Sequence, residues 1–150
     1  MRRLPVAVLT GLALVVALLP VATAAANAQR DAIDQLNHIR RAHGLAPLRP
    51  SLSLHRSSTR YARHMIQTNY FGHASRIAVS SRFGHAGETL ELHSGWQPEP
   101  GLAIDGWMNS PTHRAVLLSS AFRWVGMGIA RGRSSNGPYT VWVAHVGARR

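Results

Sequence analysis

Apolar positions along the chain change their period several times, and each change marks an element. Leu4 to Val21 is almost wholly apolar behind Arg2 and Arg3. Over residues 31–43, Ile33, Leu36 and Ile39 recur at helical spacing. Asp31 is placed to cap this helix, Asp34 lies in its first turn, and Arg40 and Arg41 lie in its last turn before Gly44. Pro47 and Pro50 stop it, because proline lacks an amide donor and restricts its neighbour. A second helix is expected from Ser51 or Ser53. Its apolar face carries Leu54, Tyr61, Ala62 and Met65, and Arg56, Arg60 and Arg63 fall on another, solvated face. It ends in the turn from Asn69 to Ser75, where Gly72 permits the backbone reversal. Residues 74–87 have no apolar period and read as a loop, after which Gly87-Glu88-Thr89-Leu90 opens an ordered segment.

Pro98 to Pro100 starts a short helix through Leu102, Ile104 and Trp107. Ser110-Pro111 starts another: the serine oxygen is placed to accept a free amide, and proline at the first helical position forfeits no needed donor. His113 is then the third residue of a helix, where the dipole disfavours the imidazolium. Trp124–Ala130 and Tyr139–Val146 are rich in β-branched and aromatic residues and read as strands, with residues 131–138 as the connecting loop. Trp107, Trp124 and Trp142 are expected to anchor the core. Helices first and a strand pair last predict an α+β sandwich rather than an alternating parallel sheet.

With 150 residues, 45% of them hydrophobic, the chain suits one domain with a substantial core. The N-terminal run reads as a secretory signal peptide over residues 1–24, with small-residue cleavage sites at Ala22-Thr23-Ala24 and Ala26-Asn27-Ala28; the competing reading is an uncleaved membrane anchor. A short segment, 25–30, then leads into a domain over 31–150. No other stretch is apolar enough to span a membrane. Cysteine is absent, so an exported domain of this composition must rest on its core or on a metal. All 17 basic residues are arginine against six acids, a formal charge of +11 that falls to +9 without Arg2 and Arg3. Such a charge points to an anionic envelope polymer or acidic lipid as partner, or to solubility alone; no nucleic-acid motif is present. The expected location is secreted or associated with the cell envelope.

Three groups at element boundaries carry candidate chemistry: His73, Glu88 and His113. Glu88 is one of only three glutamates in the chain. Two neutral imidazoles can bind a divalent metal such as zinc, and a nearby carboxylate can complete the shell or act on bound water. His73 and His113 lie 40 positions apart, which matches no local zinc signature. The alternative is that His113 tops a short core helix and bonds a loop. His145 alternates with Val141 and Val143 in the last strand, so its side chain takes one face of the sheet; the remaining histidines read as surface or simple core residues.

Leu36-Asn37-His38-Ile39-Arg40, Gly44-Leu45-Ala46-Pro47-Leu48, Phe71-Gly72-His73, Gly87-Glu88, Trp107-Met108-Asn109-Ser110-Pro111-Thr112-His113-Arg114 and Val125-Gly126-Met127-Gly128 occur in that order. Together they resemble the bacterial branch of the CAP superfamily (SCP-like), which includes cysteine-rich secretory proteins, antigen 5 and the pathogenesis-related proteins. The resemblance implies an α-β-α sandwich with a small antiparallel sheet between helices, and a central cavity lined by two histidines and two acids. Carried onto this chain, the histidines are His73 and His113 and the first acid is Glu88. The second acid falls at about Ser110, which has no carboxylate, and Thr89 stands where an asparagine commonly follows the first glutamate. Members that bind zinc or another divalent ion do so through the paired histidines. The family has no agreed enzymatic activity. Two functions follow: a binding module at the cell envelope with a metal-holding cavity of His73, Glu88, Ser110 and His113, or a hydrolase in which the histidines position a metal or substrate and Glu88 is the general base.

Overall fold

Ala24, Ala25, Ala26 and Ala28 are strong helix formers, and they carry the first helix well in front of Asp31. A computed structural model describes residues 19–150. In it α1 spans Leu19–Ala42, so residues 25–30 are part of the helix and not a separate segment. Most of the apolar run assigned to the signal peptide lies outside the described residues. After α1 come β1 (Arg49–Pro50), α2 (Leu52–Thr68), β2 (Phe83–Ser94), α3 (Pro100–Asn109), α4 (Pro111–Leu117), β3 (Trp124–Ser134) and β4 (Gly137–Arg149). Among the described residues no helix is long and apolar enough to cross a membrane.

The four strands form one sheet in the order β1-β3-β4-β2. β2 and β3 both run antiparallel to β4, but the two-residue β1 joins β3 in parallel, so the sheet is mixed and not purely antiparallel. Helices cover both faces, as an α-β-α sandwich requires. Strand side chains alternate between the faces. Trp142, Ala144 and Val146 of β4 pack with α1, α3 and α4 around Trp107, while Val141 and Val143 pack with Ala62 and Met65 of α2. His145 shares the α2 face and is 2% exposed.

Two glycines let α2 settle on the sheet. A Cβ at Gly126 would overlap the backbone of Leu54 and His55, and one at Gly128 would overlap that of Ser58 and Thr59. Gly126 is also the cross-strand partner of His145. The bare strand therefore brings the helix close enough for its side chains to reach β4.

Several local expectations change. The left-handed residue ending α2 is Asn69, at φ 50°, not Gly72. Phe83 to Gly87 belong to β2, because they pair with the end of β4 although their glycine-interrupted sequence shows no period. Residues 131–138 mostly extend the β3–β4 hairpin, leaving a tight turn around Ser135 and Asn136. Trp107 and Trp142 are fully buried, but Trp124 is only half-buried at the sheet end, with the guanidinium groups of Arg49 and Arg149 lying 6.0 and 4.0 Å from its ring centre.

Arg40 lies in the last turn of α1, as its place before Gly44 predicts, but its side chain turns inward. It is fully buried and donates to the carbonyls of Ala46, Leu117, Ser119 and Phe122, tying α1 to the end of α4 and the segment after it. Burial, with the nearby Arg123 charge, lowers its pKa from the ordinary value.

Candidate functional site: a histidine pair backed by a buried carboxylate

Glu88 sits in the middle of β2, directly across from His145 on β4. Its carboxylate reaches into the space between the sheet and the loop after α2. Tyr61 fixes that loop by donating its hydroxyl to the Gly72 carbonyl at 2.7 Å. Held there, the His73 ring places Nδ1 3.0 Å from Glu88 Oε1, and the Ala74 amide donates to the same oxygen at 3.0 Å. The other oxygen, Oε2, lies 2.9 Å from His145 Nε2. Burial alone would raise the Glu88 pKa, but the bonds from His145, the Ala74 amide and His73 outweigh it and hold the carboxyl below its ordinary value.

This bonding sets the tautomer of His73. An ionised Glu88 accepts only, so Nδ1 of His73 carries the proton and Nε2 is left with its lone pair. That nitrogen points at His113: the two Nε2 atoms are 3.4 Å apart and the ring centres 5.5 Å. Pro111 at the first position of α4 brings His113 there. The buried Nδ1 of His113 has no hydrogen-bond partner. Its pKa is lowered, first by burial and then by the proximity of His73, so the neutral ring is favoured.

The donor set fits a divalent metal. Two nitrogens on a tetrahedral zinc lie roughly 3.3 Å apart, and a carboxylate on the far nitrogen of a ligating histidine is the usual orienting partner. His73 and His113 are the only protein groups the pair offers: among the described residues no cluster of three or more His, Cys, Asp or Glu is arranged to hold a metal. Remaining positions would fall to water or a ligand.

Ser110 stands apart from this network. It precedes Pro111 at the start of α4, but its hydroxyl caps no amide and instead meets the Thr112 hydroxyl at 3.2 Å. Glu88 is also not placed as a free base, because its side chain is 2% exposed against 55% for His73 and both oxygens are engaged. Beside the pair opens a cavity of about 510 Å³, whose walls include Ser57, Arg60, His73, Arg76, Glu88 and His145. His113 does not line it. The expected quartet of His73, Glu88, Ser110 and His113 thus reduces to His73, Glu88 and His113.

His145 and Ser57 are members of the network that the sequence did not single out. His145 Nδ1 is 2.7 Å from Ser57 Oγ. The period-2 pattern of β4 put His145 on a definite face, but nothing local identified Glu88 as its cross-strand neighbour.

The pattern of the cysteine-rich secretory protein family, CAP, matches residues 33–146. The chain is 30% identical over 112 residues to an uncharacterised membrane protein, YlbC, of Bacillus subtilis, covering 69% of this chain and 32% of that one. It is 28% identical over 106 residues to YkwD of the same organism, covering 67% and 41%. It therefore spans well under half of either relative's length. Its fold is similar to that of an outer surface protein of Borrelia burgdorferi, with a TM-score of 0.67 and 18% identity over 83% of this chain and 94% of that one. It is likewise similar to an extracellular protein containing an SCP domain from Bacillus anthracis, with a TM-score of 0.65 and 23% identity over 82% and 41%. With the family pattern covering well over half of its length, the chain belongs to the cysteine-rich secretory protein (CAP) family.

Proposed function

We propose that this CAP domain is an exported binding module of the cell envelope, in which His73 and His113 hold a divalent metal such as zinc beside a cavity for a negatively charged ligand. The observation that carries the reading is the approach of two Nε2 atoms to 3.4 Å from elements 40 residues apart, with one ring fixed from behind by Glu88. A bound divalent cation supplies a positive, Lewis-acidic anchor for a carboxylate or phosphate oxygen. Glu88 orients His73, and the Ala74 amide and His145 hold Glu88 ionised. Arg60 and Arg76 on the cavity wall add positive charge, as does an exterior with a formal excess of basic groups. The apolar N-terminal run and its small-residue cleavage sites support export.

The hydrolase alternative with Glu88 as general base has less support, because a buried carboxylate with both oxygens engaged is poorly placed to take a proton from water. Calorimetric titration of the mature chain tests the metal site. One zinc per chain is expected in the parent, and binding weakened by tenfold or more in His73→Ala and in His113→Ala. Equal binding by parent and both variants contradicts it. For the partner, retention on an anionic wall polymer should fall steeply between low and high salt, since exposed charges are screened; salt-insensitive retention removes the arginine surface from the account.

A further inference from the structure

Ser57 and Ser58 are adjacent on α2, both are buried, and both hydroxyls lie 2.9 Å from the Leu54 carbonyl, the ordinary resting place of a serine inside a helix. Only Ser57 has a second partner across the fold. Its Oγ is 2.7 Å from His145 Nδ1, and His145 Nε2 is 2.9 Å from Glu88 Oε2. Three elements, α2, β4 and β2, thus line up a hydroxyl, an imidazole and an ionised carboxylate. Among the described residues Ser57 is the one serine whose hydroxyl is bonded to a histidine ring. All three side chains belong to the wall of the 510 Å³ cavity, and Ser58 does not.

From this geometry we propose that Ser57 is a nucleophile, with His145 as its general base and Glu88 as the positioning residue, serving ester substrates that carry a negative charge. The proton inventory suits that role. Glu88 accepts from Nε2–H of His145, which leaves Nδ1 with a lone pair at the Ser57 hydroxyl, whose single proton reaches it by turning from the Leu54 carbonyl about the Cβ–Oγ bond. When Nδ1 takes a proton, the resulting imidazolium faces a carboxylate at 2.9 Å that stabilises it. Arg60 lies one helical turn after Ser57 on the same cavity wall, and Arg76 joins it from the loop, so the charge around the hydroxyl favours an anionic substrate. Arg60 spends one donor on the Ala78 carbonyl and keeps the others.

The chemistry balances with water as the sole co-reactant. Ser57 Oγ bonds to the ester carbonyl carbon while its proton passes to His145 Nδ1. The tetrahedral adduct collapses, the C–O bond to the alcohol breaks, and the departing alkoxide takes that proton. Water then attacks the acyl-serine and gives a proton to His145, and collapse releases the acid as the proton returns to Ser57.

A fluorophosphonate tests the nucleophile without knowledge of the natural ester: Oγ bonds to phosphorus, the P–F bond breaks and fluoride leaves with the serine proton. The natively folded chain is treated with the probe and the modified residue is located by peptide mass spectrometry. The expected result is one label per chain at Ser57, unchanged in Ser58→Ala, absent in Ser57→Ala, and slowed about a hundredfold or more in His145→Gln, the scale of a lost general base. An unlabelled Ser57 in the folded parent overturns the proposal, with no dependence on how the variants fold. So does labelling that proceeds equally fast in a folded His145→Gln. Metal content does not enter this result, so it stands or falls separately from the histidine-pair reading.

Discussion

The chain buries polar groups in two places, and the two are built on opposite plans. Under the far end of α4, Arg40 is sealed from solvent and all of its hydrogen bonds end on backbone carbonyls. On the other face of the sheet, a line runs from Ser57 through His145 and Glu88 to His73 and ends at a pair of imidazole nitrogens beside a cavity. The first network is closed, with every acceptor matched by a donor from one side chain. The second is open: the buried Nδ1 of His113 has no hydrogen-bond partner, and His73 Nε2 meets no protein group beyond the His113 Nε2 at 3.4 Å among the described residues. A closed network holds elements in place, whereas an open one presents prepared groups to something else.

Breaking the closed network should cost the most stability. Arg40→Met leaves four carbonyls short of a donor and is expected to destabilise the fold by about 3 kcal/mol or more, read as a lower denaturant midpoint at unchanged slope. Gly126→Ala tests the link between the two plans. By pushing α2 off the sheet it should cost roughly 1–3 kcal/mol and also slow any reaction of Ser57, because the helix then no longer brings that hydroxyl to His145. An alanine tolerated without either effect would separate the glycine from the site.

The open network should show itself in pH dependence, measured in chelator. His113 and Glu88 both have folded pKa values below their ordinary ones, 6.5 and 4.5, so the unfolded chain binds more protons than the folded chain just below each value. Stability is therefore fully present above these values and falls as pH drops, first through the His113 window below 6.5 and then through the Glu88 window below 4.5. His113→Ala should flatten the upper fall and Glu88→Gln the lower one; a variant that leaves its own window unchanged contradicts the assignment. The smallest effect concerns the start of the mature chain. Ala28 is 6% exposed and packs in the α1 core, so cleavage after Ala24 retains its contact and cleavage after Ala28 loses it. A chain beginning at Gln29 should be less stable by on the order of 1 kcal/mol than one beginning at Ala25, measured by parallel melts.

Periodic elements were legible because burial repeats along them. Leu54, Ala62 and Met65 mark the inner face of α2, and the alternation of β4 gave His145 a side. Ser110-Pro111 gave the start of α4 and with it the position of His113. What stayed hidden depends on partners distant in sequence. Phe83 to Gly87 become a strand only through β4, Arg40 becomes a core residue only through the carbonyls after α4, and Ser57 acquires meaning only when glycines in β3 let α2 down beside His145. Their places at element boundaries singled out His73, Glu88 and His113, and the family resemblance pointed to the same three and placed Ser110 with them. Ser110 is the position where this chain departs from the family's pattern of acids, and its hydroxyl points elsewhere.

The most direct test of the difference between the two networks is a thermal melt of the chelator-stripped mature chain with and without zinc, run on the parent, His73→Ala and Arg40→Met. At a hundred times the dissociation constant, zinc should stabilise the parent by about 2.7 kcal/mol. The same increment should appear in Arg40→Met from a lower starting point and vanish in His73→Ala. A parent that does not respond to zinc, or a His73→Ala variant that responds as the parent does, would contradict the assignment of the open network to metal binding.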